Sequence, residues 1–261
     1  MKNFLKNELF LSILLFLILI YITIFQSVHQ DYTSIIDFDL TVIHNSLQLV
    51  SNEFPDFQDL TSYSHFLTYG LFYKFFSFFN HDLISSIDLL VKLENPDPAL
   101  QKLYIISRIA NATLHFVTIV FIYKLLGIFK IDRYYKILTI FFIILSETFL
   151  ANFIILRTDI VAVCYFFISA FFLLDFVNKQ KFINLFLVSL FMIFSLLAKL
   201  QIIFLYMFLF FFFIFFYFFE KNDENSTDKF LFLIIFKNNL RYVLFFLLYF
   251  ILFFKFILII L

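Results

Sequence analysis

Two aspartates, Asp37 and Asp39, stand just past the first apolar run of this chain. Arg108, Arg157, Asp159 and Lys199 recur far downstream, each near the end of a later apolar run. A carboxylate at a membrane edge can act as general base on a hydroxyl, because partial desolvation raises its pKa. Cations beside it suit a phosphate, since arginine offers a fork of donors and lysine a compact charge. Each residue also has a plainer reading. Asp37 and Asp39 read as solvated loop acids, and an Arg or Lys at the end of an apolar run reads as a side chain snorkelling to headgroups. Taken jointly, the set describes acid/base work beside an anion site. His44 and His65 belong to the same polar stretch as the aspartates and are candidates for lining a substrate pocket. Their spacing matches no compact metal motif, so no metal or other cofactor is expected, and a divalent ion has no ligand motif behind it. His115, in mid-run, reads as a helix-packing side chain. Glu147 reads as a buried acid or a further contributor.

These residues need elements to position them. The chain has 261 residues, 63% of them hydrophobic, and a mean hydropathy of +0.99. A soluble domain of this size has too much surface to hide that apolar content. Runs of about 17–25 apolar residues suit a bilayer, and they recur at Leu9–Phe25, Leu103–Leu126, Tyr135–Ile155, Ile160–Val177, Phe182–Ala198, Ile202–Phe219 and Leu240–Leu261. An all-α integral membrane protein follows, a helical bundle of about seven spans in a single domain over residues 1–261. With a formal net charge of zero, nothing points to nucleic acid. Cys164 is the only cysteine, so no intrachain disulfide forms. Two glycines leave no glycine-rich phosphate loop.

Lys2 and Lys6 precede the first run, which lacks a small-residue cleavage site and reads as a retained span with its basic end in the cytoplasm. Tyr63–Phe79 is apolar but carries His65 and Lys74. If it crossed, most later basic residues would face outward; if it lies in the interface, Lys124, Lys130, Arg133, Lys136, Lys179 and Lys181 fall in cytoplasmic turns. The second arrangement is expected, with an extracytoplasmic loop over residues 28–102 that carries interfacial amphipathic helices. Within it, Leu40, Ile43, Leu47 and Val50 repeat at helical spacing over Asp39–Val50. A second helical piece is expected over Leu83–Leu93, ended by the Asn95-Pro96-Asp97-Pro98 breaker.

With this topology the pattern resembles the GT-C-fold polytopic glycosyltransferases that use lipid-linked sugars. These include the protein O-mannosyltransferase-like and aminoarabinose-transferase-like families (glycosyltransferase family 39-like). Four stretches carry the resemblance: Asp37-Phe38-Asp39 followed by LTVIHNSLQLV, DFQDLTSYSHFLTYGLFYKFF, LRTDIVAVCYFFISAFFLL and SLLAKLQIIFL. Many relatives have a His-Pro or Lys-Pro pair where this chain has Leu60-Thr61. Relatives also usually have more spans and often a C-terminal soluble domain, so the chain is expected to lack the C-terminal part of the family. The resemblance implies an inverting transfer of a sugar from a polyprenyl-phosphate donor to a lipid, glycan or protein acceptor. The implied setting is the outer side of a bacterial-type cytoplasmic membrane. It further implies Asp39 or Asp37 as general base, Lys199, Arg157 and Arg108 as ligands of the donor phosphate, and Asp159 beside His44 and His65 in the substrate pocket. Two rival readings are a multi-pass transporter and a non-catalytic remnant or assembly subunit. Transport is disfavoured by the absence of proline from the clear spans.

Overall fold

The computed structural model describes residues 15–22, 24–25, 38–55, 62–80, 83, 86–146, 156–179, 181–209 and 211. Among these residues all regular structure is helical. The helices are α1 (Phe38–Val50), α2 (Tyr63–Ser77), α3 (Ile87–Val91), α4 (Asp97–Ile128), α5 (Arg133–Leu145), α6 (Thr158–Lys179) and α7 (Phe182–Ala198). A 3-10 turn at Leu200–Ile202 follows. Residues 15–22 are also helical, and Leu19 packs with Ala112 and Ile119 of α4. Asp37, Glu147 and the expected last span, Leu240–Leu261, lie outside the described residues.

Among the described residues, two helices are long and apolar enough to cross a membrane by length and composition: α4, and α6 over Thr158–Phe176. The 32 residues of α4 extend about 48 Å at 1.5 Å per residue. The helix therefore starts earlier than the expected Leu103. Pro98 lies in its first turn, where a missing N–H costs nothing, so the expected breaker opens α4 as well as closing the segment before it. α7 has the expected bounds, Phe182–Ala198. α5 covers the described first part of the expected Tyr135–Ile155 span. Its helix ends at Leu145, where Ser146 turns extended and its Oγ donates to the Ile143 carbonyl at 2.7 Å, competing with helical backbone bonding. Residues 147–155 of the expected Tyr135–Ile155 run lie outside the described residues.

α6 and α7 form an antiparallel hairpin, in which the Ser195 hydroxyl donates to the Ala162 carbonyl at 2.7 Å. α4 lies parallel to α6: Phe121 meets Phe171 with ring centroids 5.4 Å apart, and the N-terminal ends of both helices meet α1. α2 touches three helices rather than following one. Ser64 donates to the Phe194 carbonyl of α7 at 2.5 Å, and Thr68 shares a 2.8 Å bond with the Tyr165 hydroxyl of α6. Tyr69 donates to Asn111 Oδ1 of α4 at 3.2 Å, and Tyr73 pairs with Ser107 of α4 at 2.6 Å. It therefore lies obliquely across one end of the bundle. α1 rests on α2 at Gly70, where a Cβ would stand 2.5 Å from Val50 Cγ1 and 2.7 Å from the Ser46 carbonyl oxygen.

Two helices end in a left-handed residue. Asn52 after α1 has φ 62° and Lys130 after α4 has φ 56°. In each case the next N–H reaches back over the last turn, Glu53 to Gln48 at 2.9 Å and Ile131 to Leu126 at 3.1 Å. This is the double-bonded C-terminal cap that favours glycine or asparagine.

Candidate functional site

The end of the bundle crossed by α2 carries most of the expected residues. Asp39 sits in the first turn of α1 and is 1% exposed, while Arg108 of α4 is 3% exposed. Arg108 Nη2 donates to Asp39 Oδ2 at 2.9 Å. The other carboxylate oxygen, Oδ1, accepts from the Leu156 backbone N–H at 3.0 Å, just before α6 begins. One carboxylate thereby ties α1 to α4 and α6. Arg108 Nη2 also donates to the Tyr104 hydroxyl one turn away at 2.7 Å, and the guanidinium carbon stands 4.7 Å from the Tyr104 ring centroid. Arg108 Nε and Nη1 have no hydrogen-bond partner.

Burial raises the Asp39 carboxyl above its ordinary 3.8, against the pull of the Arg108 charge and the Leu156 N–H. That direction suits a proton acceptor, because a lifted pKa makes the carboxylate a stronger base.

The segment that supplies Leu156 continues directly into Arg157, which is exposed, and Asp159 in the first turn of α6. Asp159 Oδ1 pairs with the Lys199 ammonium at the end of α7, and both side chains are about one-third exposed (35% and 33%). The structure thus brings Asp39, Arg108, Arg157, Asp159 and Lys199 to one end of the bundle, from four separate parts of the chain. Within it the charges form two groups. Asp39 and Arg108 are sealed, whereas Asp159 and Lys199 are open to solvent beside the exposed Arg157.

The histidines are placed differently. His44 is half-buried on α1. His65 is fully buried on α2, 4.9 Å from the Tyr69 ring in an edge-on contact. Neither of its ring nitrogens has a hydrogen-bond partner, and burial pushes its pKa down to about 3. It is therefore neutral and part of the core. No group of three or more His, Cys, Asp or Glu side chains that could hold a metal occurs among the described residues.

Sequence reasoning missed the hydrogen-bonding partners around the pair. Tyr104, Ser107, Asn111 and the α2 tyrosines Tyr69 and Tyr73 are all buried and join α2 to the Arg108 face of α4. Burial raises both α2 hydroxyls above their ordinary 10, so they act as neutral donors. A signal was present. Tyr104, Ser107, Arg108, Asn111, His115 and Thr118 recur at steps of three or four, apart from the adjacent pair 107–108, which makes one polar stripe on an apolar helix. The Leu156 N–H has no signal, because a backbone donor looks alike at every position.

No protein-family model, curated protein or solved structure matches this chain.

Proposed function

We propose that this chain is a multi-pass membrane glycosyltransferase that moves a sugar from a polyprenyl-phosphate donor to an acceptor hydroxyl. The membrane reading is supported by an inside-out distribution of polarity. Arg108, Asn111, Ser107, His65 and Asp39 are buried, whereas Phe75, Phe141, Phe142, Phe186, Phe204 and Phe208 face outward. A water-soluble fold places these groups the other way round, while a bilayer rewards the observed arrangement. On this reading α4, α6 and α7 cross, the helix at residues 15–22 belongs to the first span, and α1 and α2 lie across the outer end. The remaining expected spans bring the count to about seven in a bacterial-type cytoplasmic membrane.

The observation that carries the transferase reading is the placing of two ion pairs, Asp39–Arg108 and Asp159–Lys199, at that one end. In the proposed reaction Asp39 takes the acceptor's hydroxyl proton as the oxygen attacks the anomeric carbon. The bond from that carbon to the phosphate oxygen breaks, and polyprenyl phosphate leaves with the electron pair. Lys199 and Arg157 neutralise the departing phosphate, with Arg108 behind them. Asp159 orients Lys199. Asp39 is closed to solvent, so the packing around it must open for an acceptor to reach it.

The test uses membranes containing the full chain and radiolabelled polyprenyl-phosphate hexose or pentose, scored for label in lipid, glycan and protein fractions. Lys199→Ala and Asp39→Asn should each lower transfer at least about 100-fold, the range for loss of a charge-stabilising donor or a general base, with the inserted protein still present. Transfer that survives both changes overturns the site. Absence of transfer from either donor overturns the reaction.

A further inference from the structure

The opposite end of the bundle holds a second charged feature that the transferase reading leaves unused. Six basic side chains gather there on the ends of four helices and the turns between them: Lys124, Lys130, Arg133, Lys136, Lys179 and Lys181. Among the described residues the acids at that end are Asp132, which is exposed, and Asp175, which Lys179 already engages at 2.6 Å.

Two of the lysines are held in place by rings rather than by acids. The Lys124 ammonium stands 5.1 Å from the Phe121 ring centroid and 5.5 Å from that of Phe171, bridging α4 and α6. The Lys136 ammonium stands 5.2 Å from the Tyr123 centroid and 3.4 Å from where a Cβ on Gly127 would lie. Neither lysine enters an ion pair among the described residues. Ring faces restrain an ammonium without supplying a counter-charge, so both are placed to meet an outside anion. Between them, Lys130 occupies a left-handed position at φ 56°, which costs a side chain about 1 kcal/mol that glycine would not incur.

We propose that the α4–α5–α6 end binds the phosphate of an anionic phospholipid, with Lys124 and Lys136 as its direct contacts. The proposal rests on the membrane reading above. A lipid, rather than free phosphate, is indicated by α5 itself. Lys136 belongs to a helix with no buried residue, and its neighbours Tyr135, Ile137, Phe141 and Phe142 face outward. A headgroup held by Lys136, which reaches Tyr123 of α4, would sit at the α4–α5 seam and lay its acyl chains along the outward flank of α5 beside it. Basic pockets between spans on the cytoplasmic side are suited to anionic headgroups.

The full chain, purified in neutral detergent, is titrated with phosphatidylglycerol or phosphatidylcholine, and the thermal midpoint is read by helical circular dichroism. Phosphatidylglycerol should raise the midpoint at lower concentration than phosphatidylcholine. Lys124→Gln and Lys136→Gln should each weaken that response roughly five-fold, the contribution of one lysine near an anionic surface. The double change should weaken it roughly 25-fold, and Lys92→Gln at the far end should leave it intact. The single variants carry the test if the double variant does not fold. Equal responses to the two lipids overturn the proposal, as does a phosphatidylglycerol preference that survives both single changes. An equal shift from inorganic phosphate replaces the lipid with a free anion. Alkaline extraction separates the two levels. A chain that leaves the membrane in carbonate refutes the membrane reading, whereas a retained chain with no lipid preference refutes this inference alone.

Discussion

Arg108→Met removes the charge facing Asp39 while keeping a long side chain. The two residues are 3% and 1% exposed, so water does not replace the lost partner. Removing one member of a buried pair costs about 3–5 kcal/mol, because the other charge is left uncompensated. Asp39 has an escape that limits the loss, since it can take up a proton. Burial already lifts its carboxyl above 3.8 against the pull of Arg108 and the Leu156 N–H, and without Arg108 it rises further. At neutral pH each additional pH unit of that rise costs about 1.4 kcal/mol. A carboxyl with a higher pKa in the folded state binds its proton more tightly there. Its stabilising contribution is complete below 3.8 and is lost as pH climbs through the raised folded value. The variant should therefore be much weaker than wild type at pH 8 and recover part of the difference at pH 5. Asp39→Asn removes the titrating carboxyl itself, so it has no such acid recovery. The double variant Asp39→Asn/Arg108→Met, with neither charge buried, should regain most of the loss at pH 8. Thermal midpoints by circular dichroism in mild detergent read all four proteins. At pH 8, labelling of Cys164, the only cysteine and 1% exposed, reports unfolding independently. The reasoning fails if Arg108→Met melts like wild type at pH 8, if acid does not narrow the gap, or if the double variant is no better than the single.

Two further outcomes test the local packing. Gly70→Ala places a methyl group against the Ser46 carbonyl and Val50 and should cost about 1–3 kcal/mol as α1 lifts from α2; an unchanged melt would mean that this contact is looser than its geometry implies. Lys130→Gly relieves the left-handed strain at φ 56° and should stabilise by about 0.5–1 kcal/mol, with a lowered midpoint counting against the strain.

The helical class, the bounds of α7 and the start of α1 near Asp39 were legible in the sequence because each rests on local pattern. Apolar run length decides one, and 3.6-residue periodicity with an acid at the helix start decides another. The departure from helical geometry at Ser146 falls where Ser146-Glu147-Thr148 breaks the apolar run, a polar step that a reading by run length passes over. The five charged residues could be assigned to one end of the bundle by counting turns. Their partners could not. Composition and spacing name a carboxylate and several cations, but not which cation faces it.

Tertiary packing decided that Asp39 meets Arg108 across 69 positions and the Leu156 N–H across 117. It also set Lys199 on Asp159 and enclosed His65 beside Tyr69. A helix's sequence specifies which of its faces is polar. Which neighbour covers that face, and how completely water is excluded, depends on how α1 and α2 settle across the ends of α4, α6 and α7. The same exclusion of water lifts the pKa of Asp39, so the property that suits it to accept a proton comes from the fold.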